Sequence, residues 1–333
     1  MRPQEVPTTM RRMGKSKGEE GYGQGRAVIA AGDDVLLDQE EMVETLLSCL
    51  NAPDYQPPTL PSVATDLMRL SQQSDVEIDD VVALLEQDSM IAGRILKLVQ
   101  SPIYSGASPL SSLRDALMRL GLNTLRDLVM EIAMNLKVFR SDDYADTMEL
   151  LRQHSSATAQ LSKLLSKHTS VEGDFAFLAG LLHDVGIAGT LLALSDRKGA
   201  RTAPPDLIAI WPAVDRVHEH AAGLMAERWD LPPELATAVK NHHQVLIQGN
   251  ADPLAATLAV ADDLAHAAGF GVVPKQDDSV RVMSELERDC VSSHTDIDRS
   301  PETTLAHARE ALSLSGETLE KVSQDFEALM RER

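Results

Sequence analysis

Two adjacent side chains in an apolar stretch have the clearest potential for chemistry. His183 and Asp184 follow Leu181 and Leu182 and precede Val185, so both are expected to face the interior of a helical segment. A polar or ionised group that is buried without partners costs several kcal/mol. The pair must therefore be satisfied by hydrogen bonds or by a bound cation.

Other histidine and aspartate residues could complete a site around this pair. Histidine nitrogens and carboxylate oxygens together suit divalent ions such as Fe, Mn, Zn, Co or Mg. The further candidates, all in segments with a helical pattern, are His154, His218, His220, His242, His243 and Asp262. Residues two positions apart on a helix are separated by roughly 200° around its axis. Only one of His218 and His220 can therefore face the same site.

Amphipathic helices must position these side chains. From Pro61 onward apolar residues recur at spacings of three and four, as in Ile91, Ile95 and Leu98, and no segment alternates convincingly as a strand. Hydrophobic residues make up 43% of the chain and aromatic residues only 3%, which favours packed helices over a β-sandwich. The sequence therefore predicts an all-α protein.

Four segments are predicted along the chain. They are a disordered tail over residues 1–36, an N-terminal helical lobe over 37–140, a second helical lobe with the candidate ligands over 141–270, and a C-terminal helical extension over 271–333. The extension is expected either to pack on the core or to form a dimer. In the second lobe we expect a loop over 196–212 and a helix from Pro232 that carries His242 and His243.

Composition excludes several classes of function. Fifty-one acidic residues against 31 basic ones give a net charge of −20, which repels a phosphate backbone and disfavours a nucleic-acid partner. The acidic excess suits either a basic partner protein or simply a solvated surface. No run of 18 apolar residues and no signal-peptide pattern occur, so a cytoplasmic protein without a membrane span is expected. Cys49 and Cys290 have no spacing typical of a metal site or a disulfide framework.

Short motifs follow one another in a fixed order between about residues 55 and 265. They are Leu60-Pro61-Ser62-Val63-Ala64, Asp88 to Leu98, Ser101-Pro102-Ile103-Tyr104, Asp115 to Gly121, His154-Ser155, Ala179 to Gly186, Trp229-Asp230-Leu231-Pro232 and His242-His243. This series resembles the HDOD domain, a branch of the HD superfamily of metal-dependent phosphohydrolases. The resemblance implies a multi-helix fold in which an N-terminal lobe packs on an HD-like lobe.

The resemblance also implies a set of metal ligands. His154, His183, Asp184 and Asp262 would bind one ion, and His218, His242 and His243 would complete a second metal site or contact phosphate. Aligned backwards from Trp229, the third ligand position falls on His218 and not on His220. If the protein is an active enzyme, Asp184 would be its catalytic residue, bridging the metals or orienting the nucleophile.

Two departures disfavour the hydrolysis of cyclic di-GMP. The HD-GYP relatives that catalyse this reaction carry a Lys just after the His-Asp turn and a Gly-Tyr-Pro loop after the His doublet. Here Ile187 stands at the Lys position, and Gln244-Val245-Leu246 follows His243. Smaller departures from the HDOD pattern, none of which removes a ligand, are Ser89, Gln100 and Ala222.

HDOD domains generally resemble degenerate HD domains that work in bacterial signalling. The expected function is therefore a non-catalytic regulatory module that holds a divalent metal and contacts a protein partner or a second copy of itself. The alternative is a metal-dependent phosphohydrolase acting on a nucleotide or another phosphate ester, with Arg197, Lys198 and Arg201 in place of the missing Lys. A nucleic-acid regulator is the weakest hypothesis, since the chain has no basic helix.

Overall fold

The computed structural model describes residues 39–101, 112–195, 205–247, 249–272 and 301–332. Within these ranges the chain is helical apart from turns and one β-hairpin whose strands have two residues each. This confirms the predicted all-α fold. The predicted tail over residues 1–36, the three basic residues of the 196–204 segment and the first part of the C-terminal extension lie outside the described residues.

The segment predicted as the N-terminal lobe, residues 37–140, contains six helices in its described part. They are α1 (Gln39–Leu50), α2 (Ser62–Leu70), α3 (Ile78–Glu86), α4 (Ser89–Val99), α5 (Leu113–Leu120) and α6 (Leu122–Lys137). Of the apolar stripe predicted for α4, Ile91 and Ile95 are fully buried, but Leu98 is 36% exposed and Val99 is buried in its place. The Asp88 carboxylate accepts hydrogen bonds from the amides of Met90 and Ile91 and caps this helix, a contribution of about 1 kcal/mol.

The second lobe contains longer helices and the hairpin. Its elements are α7 (Ala145–Ser166), α8 (Gly173–Leu182), α9 (Val185–Ser195), α10 (Leu207–Arg228), α11 (Pro233–Lys240), β1 (Leu246–Ile247), β2 (Asn250–Ala251) and α12 (Pro253–Ala267). Helix α8 lies at the centre and packs on α7, α11 and α12 and also on α6 of the first lobe. Helix α1 packs on α9 and α10, so the chain's first described helix contacts the second lobe.

The C-terminal extension packs on the core of this chain. Its helices are α13 (Pro301–Ala311) and α14 (Gly316–Glu332), which contact α12 and α7. Ala308, Val322 and Phe326 are buried in one apolar cluster with Ala157 and Leu161 of α7. Of the two predicted alternatives, packing on the core is therefore observed.

Two sequence predictions about element boundaries were wrong. The segment 196–212 was expected to be a loop, but α10 already begins at Leu207 because the Asp206 carboxylate caps it by accepting from the Ile208 amide. The helix predicted from Pro232 was expected to include the His doublet, but the observed helix spans only Pro233–Lys240. His242 and His243 therefore lie in the turn that follows α11.

Two glycines allow helices to approach closely around the second lobe's centre. A Cβ atom at Gly180 would lie 2.7 Å from Cα of Ala159 on α7, and one at Gly186 would overlap the backbone carbonyl of His218 on α10. These positions therefore require glycine. The pair of helices Phe175–Ser195 is long and apolar enough to cross a membrane, but 89% of that window is buried inside the protein, as in the core of a folded domain.

Candidate metal centre

The junction between α8 and α9 carries the His183 and Asp184 pair. Helix α8 ends at Leu182 and α9 begins at Val185, so the pair occupies a break between two helices and not the middle of one. The His183 side chain is 1% exposed and the Asp184 side chain 11% exposed. The prediction that both face the interior is confirmed.

A first group of ligand atoms gathers around this junction. His154 Nε2, on α7, lies 3.2 Å from Asp184 Oδ2 and 3.1 Å from His183 Nε2. Asp262, on α12, places Oδ1 3.1 Å from His154 Nε2 and 3.8 Å from His183 Nε2. Two helices and one helix junction thus bring together the four residues predicted to bind the first ion.

A second group contains the remaining predicted ligands. His218 Nε2, on α10, lies 3.1 Å from both His242 Nε2 and His243 Nε2 in the turn after α11. The ligand atoms of these three residues all lie within 4.8 Å of one another. His218 and His242 are buried, whereas His243 is exposed.

Asp184 joins the two groups through its two carboxylate oxygens. Oδ2 faces His154 and His183, at 3.2 and 3.3 Å, whereas Oδ1 lies 3.3 Å from His242 Nε2 and 3.8 Å from His218 Nε2. One carboxylate therefore borders both sets of histidines. This arrangement suits two neighbouring cations that share a bridging ligand.

Backbone carbonyls fix the orientation of the buried histidine rings. Nδ1 of His154, His183, His218 and His242 lies 2.7, 2.9, 2.5 and 2.8 Å from the carbonyl oxygens of Phe270, Gly180, Asp215 and Val239, respectively. A carbonyl oxygen can only accept a hydrogen bond, so each Nδ1 carries the hydrogen and each Nε2 of a neutral ring presents a lone pair to the site.

Facing lone pairs require a positive charge between them. At 3.1 Å, two Nε2 acceptors repel each other unless a proton or a metal cation lies between them. Histidine ligands held by backbone carbonyls, with carboxylates beside them, are an ordinary ligand set for Zn, Mn or Fe. The residues present therefore fit divalent metal ions.

The ionisation of the cluster reflects the same demand for positive charge. Burial opposes the charged form of His154 and His183, but the carboxylates of Asp184 and Asp262 outweigh it and raise the pKa of His154 to about 9 and that of His183 to about 10. Burial opposes ionisation of Asp184 too, yet the neighbouring histidines hold its pKa well below the usual range. Without metal, protonated histidines would supply the positive charge that the carboxylates require.

A carboxylate that was not among the predicted ligands, Glu219, also borders the second ligand group. Glu219 on α10 accepts a hydrogen bond from the His243 amide at 3.2 Å. Burial opposes its ionisation, but the charges of His242, His243 and His218 lower its pKa.

Ile187, at the position where the HD-GYP enzymes carry Lys, is buried in the apolar core and 3% exposed.

The choice between His218 and His220 is decided by the structure in favour of His218. His220 points away, and its Nε2 lies 3.2 Å from Asn51 Oδ1 at the end of α1.

One residue beside the first group, His266, was not predicted from the sequence. His266 lies on α12 one turn after Asp262, with Nε2 3.5 Å from Asp262 Oδ1. Its spacing of four residues from Asp262 is the sequence signal that could have identified it as a neighbour of the site.

The HDOD domain profile matches residues 58–245, which is more than half of the chain. The chain belongs to the HDOD domain family. The match ends before Asp262, so the family comparison covers six of the seven predicted ligands and the fold supplies the last.

Relatives of this HDOD protein share its fold across most of the chain. An HDOD domain protein of unknown function from Geobacter sulfurreducens is 25% identical, with a TM-score of 0.58, and the alignment covers 89% of this chain and 96% of the relative. A protein from Shewanella amazonensis SB2B, provisionally named a metal-dependent phosphohydrolase, is 19% identical, with a TM-score of 0.57 and coverage of 81% and 99%. At that identity the likeness concerns the fold alone.

An uncharacterized protein of Treponema pallidum (strain Nichols) is also similar. It is 27% identical over 197 residues, which make up 56% of this HDOD protein and 38% of the relative. The chain thus spans well under half of that relative's length.

Proposed function

We propose that this HDOD protein is a metal-holding signalling module that acts through contacts with a protein partner and does not hydrolyse phosphate esters. The observation that carries the proposal is that, in the described residues, histidines and carboxylates are the charged groups that shift the ionisation of the ligand cluster, with no Lys or Arg among them. The strongest charge effects on Asp184, Asp262 and Glu219 come from histidines. Asp215 adds a further carboxylate, and burial raises its pKa.

Phosphoryl-group chemistry needs positive charge on the phosphate oxygens as well as on the nucleophile. The enzymatic HD-GYP relatives place a Lys close to the His-Asp turn, and here the equivalent Ile187 is packed among apolar side chains. Because Glu219 contacts the His243 amide and an apolar Ile187 stands in place of the Lys, the cluster favours cations and disfavours a phosphate anion. This supports metal binding without turnover.

The metal would be held by the two groups described above, His154, His183, Asp184 and Asp262 in one and His218, His242 and His243 in the other. When bound, divalent cations supply Lewis acidity, lower the pKa of a bound water and hold helices together. The residues of the chain orient the ligand nitrogens through their backbone carbonyl contacts. In a signalling module this rigidity would define the surface offered to a partner.

The alternative is a metal-dependent phosphohydrolase that acts on a nucleotide or another phosphate ester. One observation favours it: Asp184 faces both ligand groups, as expected for a site with two metals. Structures of this fold carry both kinds of name, since the Shewanella relative is named for phosphohydrolase activity and a Marinobacter aquaeolei VT8 protein, 18% identical with a TM-score of 0.54, is provisionally named a signal transduction protein. A fold can host either function.

The deciding experiment measures metal content and turnover on the same samples. Wild type and Asp184→Asn are reconstituted with Mn²⁺, Fe²⁺ or Zn²⁺, analysed by inductively coupled plasma mass spectrometry, and assayed with a phosphodiester, a phosphomonoester and a panel of nucleotides. We expect metal in the wild type, less in the variant, and no hydrolysis above the variant's background. Hydrolysis that requires metal and is lost in Asp184→Asn would overturn the proposal in favour of the phosphohydrolase.

The partner and the location are part of the proposal. We propose a bacterial cytoplasmic pathway in which the partner is a protein, either a different chain or a second copy of this one. Native mass spectrometry of metal-loaded protein distinguishes a homodimer from a monomer. A monomer directs the search toward a different protein.

A further inference from the structure

His266 lies at the open side of the first ligand group. Exposure of the side chains increases outward, from 0% for His154 and 1% for His183 to 11% for Asp184, 24% for Asp262 and 51% for His266. Solvent or a substrate would approach the first group from this side. His266 therefore occupies the approach to the buried ligands.

The geometry places the His266 ring beside His154 and Asp262 of the first ligand group. Its Nε2 lies 3.5 Å from Asp262 Oδ1, and its ring centroid lies 5.0 Å from that of His154 at an interplanar angle of 47°. The ligand atoms of His154, Asp262 and His266 lie within 4.8 Å of one another. Because Asp262 and His266 are four residues apart on α12, the helix presents both on one face.

We propose that His266 is an additional protein ligand that closes the first metal site. The first group would then offer His154, His183, Asp184, Asp262 and His266, which leaves little room for a water or a substrate oxygen on the ion. Metal sites closed by protein ligands are typical of structural roles, whereas catalytic sites keep an open position. This inference rests on the proposed metal-holding function and gives its physical reason.

The surrounding residues are compatible with a ligand at this position. Gly271 lies beside the ring, and a Cβ atom there would be 3.6 Å from His266 Nδ1, an ordinary contact distance. The His266 side chain is half exposed, so it can adjust its rotamer without displacing the core. Its substitution should therefore leave the fold intact.

The test compares His266→Ala with a matched control, His220→Ala, in the full chain. His220 is also exposed, but it contacts Asn51 and not the ligand cluster. Each protein is titrated with Mn²⁺ by isothermal calorimetry, and the number of exchangeable waters on the bound Mn²⁺ is counted by water-proton relaxation and ¹⁷O electron–nuclear double resonance. Thermal melting of the metal-free proteins verifies that both variants are folded.

We expect His266→Ala to weaken one Mn²⁺ site by about 10-fold or more and to add one water to it, whereas His220→Ala matches the wild type. His266→Gln, which keeps a neutral side-chain donor, should restore part of the affinity. If the wild type binds Mn²⁺ and His266→Ala changes neither affinity nor water count, the closing role is wrong and the metal-holding function stands. If the reconstituted wild type binds no Mn²⁺, both proposals fall.

Discussion

His154 Nδ1 donates a hydrogen bond to the backbone carbonyl of Phe270, at 2.7 Å across 116 residues of sequence. Phe270 lies beyond the end of the HDOD match at residue 245, so a segment outside that match orients a buried ligand. The Phe270 ring in turn makes an edge contact with Phe326 of α14, with centroids 5.8 Å apart. The C-terminal extension is thus linked to the candidate metal centre by two contacts.

We therefore expect Phe326→Ala to weaken metal binding by about 10-fold, because removing partners that orient a metal ligand typically costs 10- to 100-fold in affinity. Mn²⁺ titration by calorimetry measures the change. The matched control is Phe139→Ala, which removes a buried ring from the first lobe and loses stability of the same order, about 3 kcal/mol. Equal metal affinity in the two variants would contradict a specific role for the extension.

The metal-free protein should lose stability as the pH rises from neutral to alkaline. Contacts with Asp184 and Asp262 outweigh burial and raise the pKa values of His154 and His183 from 6.5 to about 9 and about 10. Folding therefore favours their protonated forms, so the stabilisation is fully present below pH 6.5 and is lost as the pH passes through 9 to 10. Melting temperatures of EDTA-treated protein between pH 6 and 10 measure it.

Metal should reverse this trend, because cations and protons compete for the same Nε2 atoms. The increase in melting temperature on adding Mn²⁺ should grow as the pH rises over the same range. The matched variant His154→Gln should flatten the metal-free profile. A metal-free wild type whose melting temperature increases steadily toward pH 10 would show that the cluster does not hold protons.

Gly186→Ala should destabilise the protein by about 3 kcal/mol or more, since the added Cβ would overlap the His218 carbonyl and lie 2.6 Å from the Ala222 amide nitrogen. The control is Gly93→Ala on α4, where nothing lies within 4 Å of the added atom. Gly93→Ala should stabilise by about 0.5–1 kcal/mol because glycine weakens a helix interior. Urea denaturation measures both, and effects of the same sign would contradict the close helix contact.

Asp127→Ala should also destabilise the protein, by about 3 kcal/mol. The Asp127 carboxylate is 3% exposed and lies 2.9 Å from Arg126 Nη2 and 3.1 Å from Lys163 Nζ, which links α6 to α7 between the lobes. Removing one member of a buried ion pair leaves buried charge behind. The exposed pair Asp66 and Arg69 is the control, because Asp66→Ala should cost less than about 1 kcal/mol. Chemical denaturation distinguishes the two cases.

Much of the fold was predictable from the sequence because helix formation and the choice of a buried face are local. The spacing of Ile91 and Ile95 predicted the buried side of α4, and the angle between alternate residues on a helix required a choice between His218 and His220. Element ends were less predictable. The Asp206 cap started α10 earlier than expected, and the end of α11 left the His doublet in a turn.

By itself, the sequence determined the helical class, the types of ligand and the rule that only one of His218 and His220 can face the site. Only the tertiary structure decided that Asp184 faces both ligand groups, that His266 lies at the opening and that Phe270 orients His154. Local rules fix which face of a helix is apolar, whereas contacts between residues far apart in sequence depend on how helices pack. Whether this centre can be open or closed is therefore a property of the packed chain.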